Sequence, residues 1–365
     1  MSFIDDIMGF DPQSLDAFQE PVSNTNYDAN IYKTNPVKLS KSEDGHYRAK
    51  VRVIYNPFNL KKSIVKQETY FIKDADGSLL VRSKLSNDDR ECPIFKSWKQ
   101  LWFSKDEAKK NWAKQMYDKS SSQYCLVQVL EDENQPELVG KILAWKLPKT
   151  VYTKMEAKMN PAPESKKTPV AVMDFLFGLP LDLDVAPGPD DPSAPERKQR
   201  EINYDLCEFD NDYAPITKVD GTPLFEENEL ETIDAFVTAK ADALKAKTAA
   251  KKEAAMKTIA DLTPAIKELY QKSLDYLKAN SFDLVEECGF KEWDEATATR
   301  VDHWITLVGM LIDPSTTTYE AVMGTPKTEA PTVEAPAAET SAEKPVTSEA
   351  DALMDMGTTP NDLPF

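Results

Sequence analysis

The chain has 365 residues, enough for one large domain, a smaller one and tails. Its formal net charge of −18 argues against a surface uniformly coated in nucleic acid, yet the charge is unevenly placed. Residues 1–40 carry −4, residues 41–160 carry +7, residues 161–324 carry −15 and residues 325–365 carry −6, the pattern of a polyanion-binding block beside an acidic tail.

Residues 1–40 read as an acidic flexible arm, with Asp5, Asp6, Asp11 and Asp16 among scattered aromatics. The amino-terminal residues lack a basic stretch followed by an apolar core, so no signal peptide is expected. From Gly45 the pattern turns to short β-rich runs. Tyr47–Tyr55 alternates charged with apolar or aromatic side chains, the period of a half-buried strand. Ser63–Lys73 predicts a second strand, and Asp76-Gly77 a turn into Ser78–Arg82. One helix is expected from Pro93 to about Met116, strands over Tyr124–Leu130 and Gly140–Leu147, and a short helix over Val151–Lys158. Two further strands are expected at Pro169–Phe175 and Gly178–Val185, and a closing strand at Ile202–Phe209. Beyond Pro223 the period lengthens to that of helices, over Glu226–Ala260, Thr263–Asn280 (with Pro264 near its start) and Glu292–Ile312.

The expected class is α+β, with an OB-fold-like β-barrel core carrying inserted helices, then a helical region and a disordered acidic tail. The expected segments are an arm at 1–40, a core at 41–220, a helical region at 221–313 and a tail at 314–365. The four cysteines (Cys92, Cys125, Cys207, Cys288) are too sparse for a disulfide framework and suit a reducing cytoplasm. No run of about 18 apolar residues exists, so no membrane span is expected.

Catalytic constellations are hard to find. The two histidines, His46 and His303, lie far apart, and no phosphate-binding glycine loop or metal-spaced cysteine pair is present. His303, beside Trp304 on an amphipathic pattern, reads as a packed structural residue. The chain is therefore not expected to be an enzyme, with a nuclease or transferase carrying an OB-like accessory domain as the weaker rival.

Basic and aromatic residues interleave in two stretches, the chemistry that holds single-stranded nucleic acid by cations on phosphates and rings on bases. The candidate contacts in the first are Arg48, Lys50, Arg52, Tyr55, Phe58, Lys61, Lys62 and Tyr70. In the second they are Lys99, Trp102, Lys105, Lys109, Lys110 and Trp112, and Lys146 is added from the returning strand. About half of these aromatics are expected in the core, with tyrosines the better candidates to line a groove. The tail ends in Asp362, Leu363, Pro364 and Phe365. Two apolar side chains at the tip of an acidic, proline-rich segment are expected to be captured by a partner.

The block Gly45–Pro215 resembles the core of the single-stranded DNA-binding (helix-destabilising) proteins of T-even-like phages. The residues that carry the resemblance are Tyr47–Pro57, Asp76-Gly77, Glu91-Cys92-Pro93, Tyr124–Val129, Pro136-Glu137 with Gly140-Lys141, Thr150–Met159, Thr168-Pro169-Val170 and Tyr204-Asp205. The last residues separately resemble the Asp-x-Pro-Phe ending of bacterial single-stranded DNA-binding proteins. The resemblance implies an OB-fold, sequence-independent coating of single strands in replication, recombination and repair, and a tail that contacts replication and recombination proteins. An adaptor that docks a clamp or polymerase through the tail without coating DNA is the alternative.

Two departures qualify it. The phage family holds zinc with one histidine and three cysteines; here Cys92 keeps one position, Phe95 replaces the next, Lys84 or Ser83 stands near the third, and no histidine lies near Tyr70. A lone thiol cannot form a structural tetrahedral site, so no cofactor is expected, with Phe95 and Trp98 filling the space. The family's basic arm, which implies self-association on DNA, is replaced by an acidic one.

Overall fold

The computed structural model describes residues 30–82, 92–165, 167–288 and 293–324. The arm residues 1–29 and the tail with Asp362, Leu363, Pro364 and Phe365 lie outside them, as do Ser83 and Lys84. The described strands are β1 (Ile31–Tyr32), β2 (Tyr47–Ile54), β3 (Ile64–Asp74), β4 (Gly77–Arg82), β5 (Tyr117–Asp132), β6 (Ile142–Leu147), β7 (Pro180–Val185) and β8 (Glu208–Phe209). The helices are α1 (Pro36–Leu39), α2 (Pro93–Trp102), α3 (Glu107–Met116), α4 (Lys149–Met159), α5 (Arg197–Arg200), α6 (Glu227–Lys245), α7 (Ala249–Asn280), α8 (Leu284–Glu287), α9 (Glu295–Ile312) and α10 (Tyr319–Met323).

The chain is thus α+β, and it divides into two compact units. Among described residues, the first holds 30–69, 82, 120–165, 167–288 and 293; the second holds 70–81, 92–119 and 294–324.

The first unit is built on a sheet with strand order β1-β6-β5-β2-β7-β8. β2 sits between β5 and β7, antiparallel to both, and β1 joins β6 in parallel. β3 pairs with β4 and β5 off this path. Among the described residues no pairing joins the ends of the path, so the sheet is not seen to close into a barrel. The turn into β6 requires Gly140: its φ of +83° is left-handed, and a Cβ there would lie 2.4 Å from the Val219 carbonyl oxygen.

Both faces of the inner strands are covered: Val51, Val53, Val127 and Val129 on one side and Arg52, Ile54, Leu126 and Gln128 on the other are all fully buried. Helices α6 and α7 pack on the same core through Ile233, Phe236, Ile266, Leu269 and Leu274. A capping box between Glu226 and Glu229 starts α6, and the Thr248 side chain accepts from the Lys251 amide to start α7. The helical break therefore falls at Ala246–Thr248, and Pro264 sits inside α7 rather than near the start of a separate helix.

Three other expectations need correction. The single helix over 93–116 is two, because Asp106 accepts from the Ala108 amide at 2.9 Å and opens a new helix. Residues 169–175 form turns and irregular backbone instead of a strand, and of Ile202–Phe209 only Glu208–Phe209 is a strand.

The second unit packs α2, α3 and α9 beside the β3–β4 turn. Its core is aromatic: Trp98 stacks on Tyr117 at 4.5 Å and on Trp102 at 5.0 Å between ring centroids. Trp98 Nε1 donates to the Ala113 carbonyl and Trp304 Nε1 to the Met116 carbonyl, both at 3.2 Å, so the last turn of α3 satisfies both indoles. His303 is exposed, contrary to the packed role expected for it, because the buried face of α9 is Val301, Trp304, Leu307, Val308 and Leu311.

Candidate nucleic-acid interface

The basic strand β2 is less available than its sequence suggests. Arg48 stands opposite Asp184 and Lys50 opposite Asp182 in the β2–β7 register. Lys50 pairs with Asp182 and Asp210, each at 3.2 Å, and Arg48 with Asp44 at 2.6 Å and Asp184 at 3.4 Å. These cations answer carboxylates of the same fold, and exposed pairs of this kind contribute little to stability.

Arg52 lies past a register shift at Lys50/Val51 and is fully buried. Its Nη2 donates to the Asp174 carbonyl at 2.6 Å, while Nε and Nη1 have no hydrogen-bond partner among the described residues. Burial pushes its pKa down to about 10. Gly178 is needed here, since a Cβ would lie 2.9 Å from Arg52 Nη2 and 2.5 Å from the Asp174 carbonyl oxygen. The Asp174 carboxylate accepts from the Leu176 and Phe177 amides at 2.8 Å and from the Tyr270 hydroxyl at 2.7 Å. Arg52 is therefore part of a buried polar cluster, out of reach of a strand on the surface. Tyr55 and Tyr70 are buried as well, at 1% and 0% exposure.

What the first unit does present is the turn after β2. Asn56 is buried, its Oδ1 accepts from the Phe58 amide at 3.0 Å, and its amide nitrogen donates to Asp283 at 2.9 Å. Ser63 Oγ accepts from the Asn56 backbone at 2.9 Å. This bracing holds Phe58, 41% exposed, beside Lys61 and Lys62 of a short 3-10 turn. Lys146 is exposed on β6 of the same unit.

In the second unit the corner between α2 and α3 presents Phe103, 57% exposed, with Lys99 Nζ over its ring at 5.8 Å and Lys105 exposed just beyond. Trp102 and Trp112 are half-buried. Lys109 caps the last turn of α9 through the Ile312 carbonyl at 2.9 Å, and Lys110 pairs with Glu107 at 2.9 Å. The exposed rings are thus phenylalanines, while the tyrosines favoured from sequence pack in the cores. The signal for Phe103 was local: it directly precedes the Ser104-x-Asp106 capping residues that end one helix and start the next.

Cys92 belongs to no cluster of metal-ligating side chains among the described residues. Asp74, Asp76 and His303 do cluster, but both Asp74 oxygens accept from Arg300 Nη2, at 2.9 and 3.0 Å, and the guanidinium takes the place a cation would hold. Phe95 packs on Trp98 at 5.6 Å.

Residues 40–237, more than half of the sequence, match the family described as gp32 DNA binding protein like. The chain belongs to this family. DNA binding is the business of gp32-like proteins, which are not an enzyme family. Among curated proteins, no sequence matches the chain. Within the gp32-like segment lie the braced Phe58 turn, followed in sequence by Lys61 and Lys62, and the Phe103 corner, with Lys99 and Lys105 on either side of it in sequence. No described helix is long and apolar enough to cross a membrane.

Proposed function

We propose that this gp32-like protein binds single-stranded DNA irrespective of sequence, coating and protecting it in phage replication, recombination and repair, and recruits partners through its tail. The observation that carries this reading is the pairing of exposed rings with lysines inside the gp32-like segment: Phe58 with Lys61 and Lys62, Phe103 with Lys99 and Lys105. Any base offers a face to a ring, and any strand offers phosphates to lysines. The mixed sheet fits an OB-like core left open rather than closed. Four buried cysteines, none of them in a disulfide among the described residues, fit work in a reducing cytoplasm.

Fluorescence-quench titration with oligo(dT) and with mixed-sequence oligonucleotides tests the reading. With about five phosphate contacts the log–log salt slope is about −3.5, so affinity drops about 100-fold between about 50 and 200 mM salt. Equal affinity for all sequences within a few-fold is expected. Affinity that ignores salt, or absence of binding, would leave the adaptor reading in its place.

The tail supplies a second test. At −6, residues 325–365 compete with DNA phosphates for the same lysines. Their removal tightens single-strand binding, most at low salt, and ends partner recruitment. Phe365→Ala loses recruitment but keeps DNA affinity, because the ring adds nothing to the charge; proline before it restricts the backbone and lowers the cost of capture. Equal losses of DNA affinity and recruitment in Phe365→Ala would assign the ring to the DNA site.

A further inference from the structure

The first unit contains a cavity of about 520 Å³ that none of the sequence-expected contacts touches. It lies within the range of about 300–1,000 Å³ usual for small-ligand sites. Its walls are aromatic. Phe177 stacks on Phe236 at 5.7 Å and an interplanar angle of 16°, and it meets Tyr213 and Tyr270 edge-on, each at 6.0 Å. Lys240 Nζ stands 4.7 Å from the Phe236 ring centroid and 5.4 Å from that of Phe177. Lys158 lines the cavity, and so does the Asn211 amide, which makes no side-chain hydrogen bond within the described residues.

This combination suits a nucleotide. Flat rings take a base by stacking, an amide with both donor and acceptor can meet any base edge, and two ammonium groups match the adjoining phosphates. The Asp174 carboxylate in the wall already accepts three hydrogen bonds, so it is spent within the protein. The lysines continue beyond the cavity. Lys240 and Leu244 lie one turn apart near the end of α6, Lys245 closes that helix, Lys247 sits in the break after it, and Lys251 and Lys252 open α7 with no acid in its first turn. Leu244 is 70% exposed in the midst of these lysines, an apolar surface beside cations. Around them the 161–324 segment is strongly acidic, so a basic stretch here is a local reversal of sign. Lys240 and Tyr270 lie outside the gp32-like match, which ends at residue 237.

We propose that this cavity is a further base-binding site: one nucleobase of a DNA single strand enters it and packs against Phe177 and Tyr213, with Phe236 backing the Phe177 ring, and Lys158 and Lys240 hold its phosphates. The site rests on the single-strand reading and adds to it a defined pocket formed with α6 and α7.

The test uses the full-length protein and oligo(dT) carrying one 5-iododeoxyuridine, irradiated and mapped by mass spectrometry of the adduct peptides. Adducts on the peptides that contain Phe177, Tyr213 or Phe236 are expected. In parallel, Lys158→Gln with Lys240→Gln lowers the magnitude of the salt slope by about 1.4, at about 0.7 per phosphate contact, while Lys240→Arg preserves it. Adducts confined to other segments, such as the Phe58 turn, with binding intact would overturn the pocket and leave the single-strand reading standing. A protein that fails to bind the oligonucleotide at all overturns both. If a photoreactive peptide of residues 361–365 labels the cavity and the oligonucleotide does not, the tail is the occupant and the proposal falls.

Discussion

Trp304→Ala is expected to unfold the second unit under conditions where the wild-type chain holds it. Trp304 is fully buried, its indole nitrogen donates to the Met116 carbonyl, and its ring lies 6.4 Å from that of Tyr117. Truncation removes the largest buried side chain of α9 and leaves a carbonyl without its donor, at a cost of about 3–5 kcal/mol. Four of the six tryptophans (Trp98, Trp102, Trp112 and Trp304) belong to this unit, so intrinsic fluorescence during urea unfolding reports on it. Phe103→Ala is the contrast. Its ring is mostly exposed, so stability should stay within about 0.5 kcal/mol. Affinity for single strands should fall by about 1–3 kcal/mol, the contribution of one stacked base. A Trp304→Ala chain with an unchanged urea midpoint would refute the packing argument; a Phe103→Ala chain with unchanged affinity would remove that ring from the DNA surface.

Asp174→Ala is expected to be the most damaging single change in the first unit. The carboxylate is 4% exposed and collects the Leu176 and Phe177 amides and the Tyr270 hydroxyl. It also supplies a negative charge that acts on the buried Arg52 guanidinium, two of whose nitrogens have no hydrogen-bond partner among the described residues. Breaking a buried charge pairing from one side costs about 3–5 kcal/mol, because the remaining charge stays in a medium that cannot solvate it. Arg52→Met removes the uncompensated cation and fills much of the same volume, so it should cost less. Asp174→Ala should then be milder in the Arg52→Met background than alone. Strictly additive losses in urea unfolding of the two single variants and the double variant would show that the charges are not coupled.

Much of the local structure is legible in the residues themselves. Alternation fixed β2, the apolar run Tyr124–Val129 marked the centre of β5, and Ala/Lys/Glu-rich periodicity marked α6 and α7. The split at Phe103–Asp106 was also written in the residues, since Asp106 is a capping residue followed by Glu107. The exact opposite holds for Pro264, where a local breaker lost to the packing of a 32-residue helix against the core.

The surface was decided only by tertiary structure. Arg48, Lys50 and Arg52 alternate on one strand face in sequence, which reads as a track of cations. Register places Asp184 and Asp182 directly across from the first two, and neither strand's sequence states which strand lies beside it. Beyond the shift at Lys50/Val51 both faces of β2 are covered, so Arg52 joins the core. The aromatic cavity is the same lesson at longer range. Phe177, Tyr213, Phe236 and Tyr270 come from a loop, a second loop and two helices, with no spacing that links them. A sequence fixes short-range periods because neighbouring residues share a backbone geometry. Which rings end up exposed depends on what packs over them, and that is a property of the assembled fold.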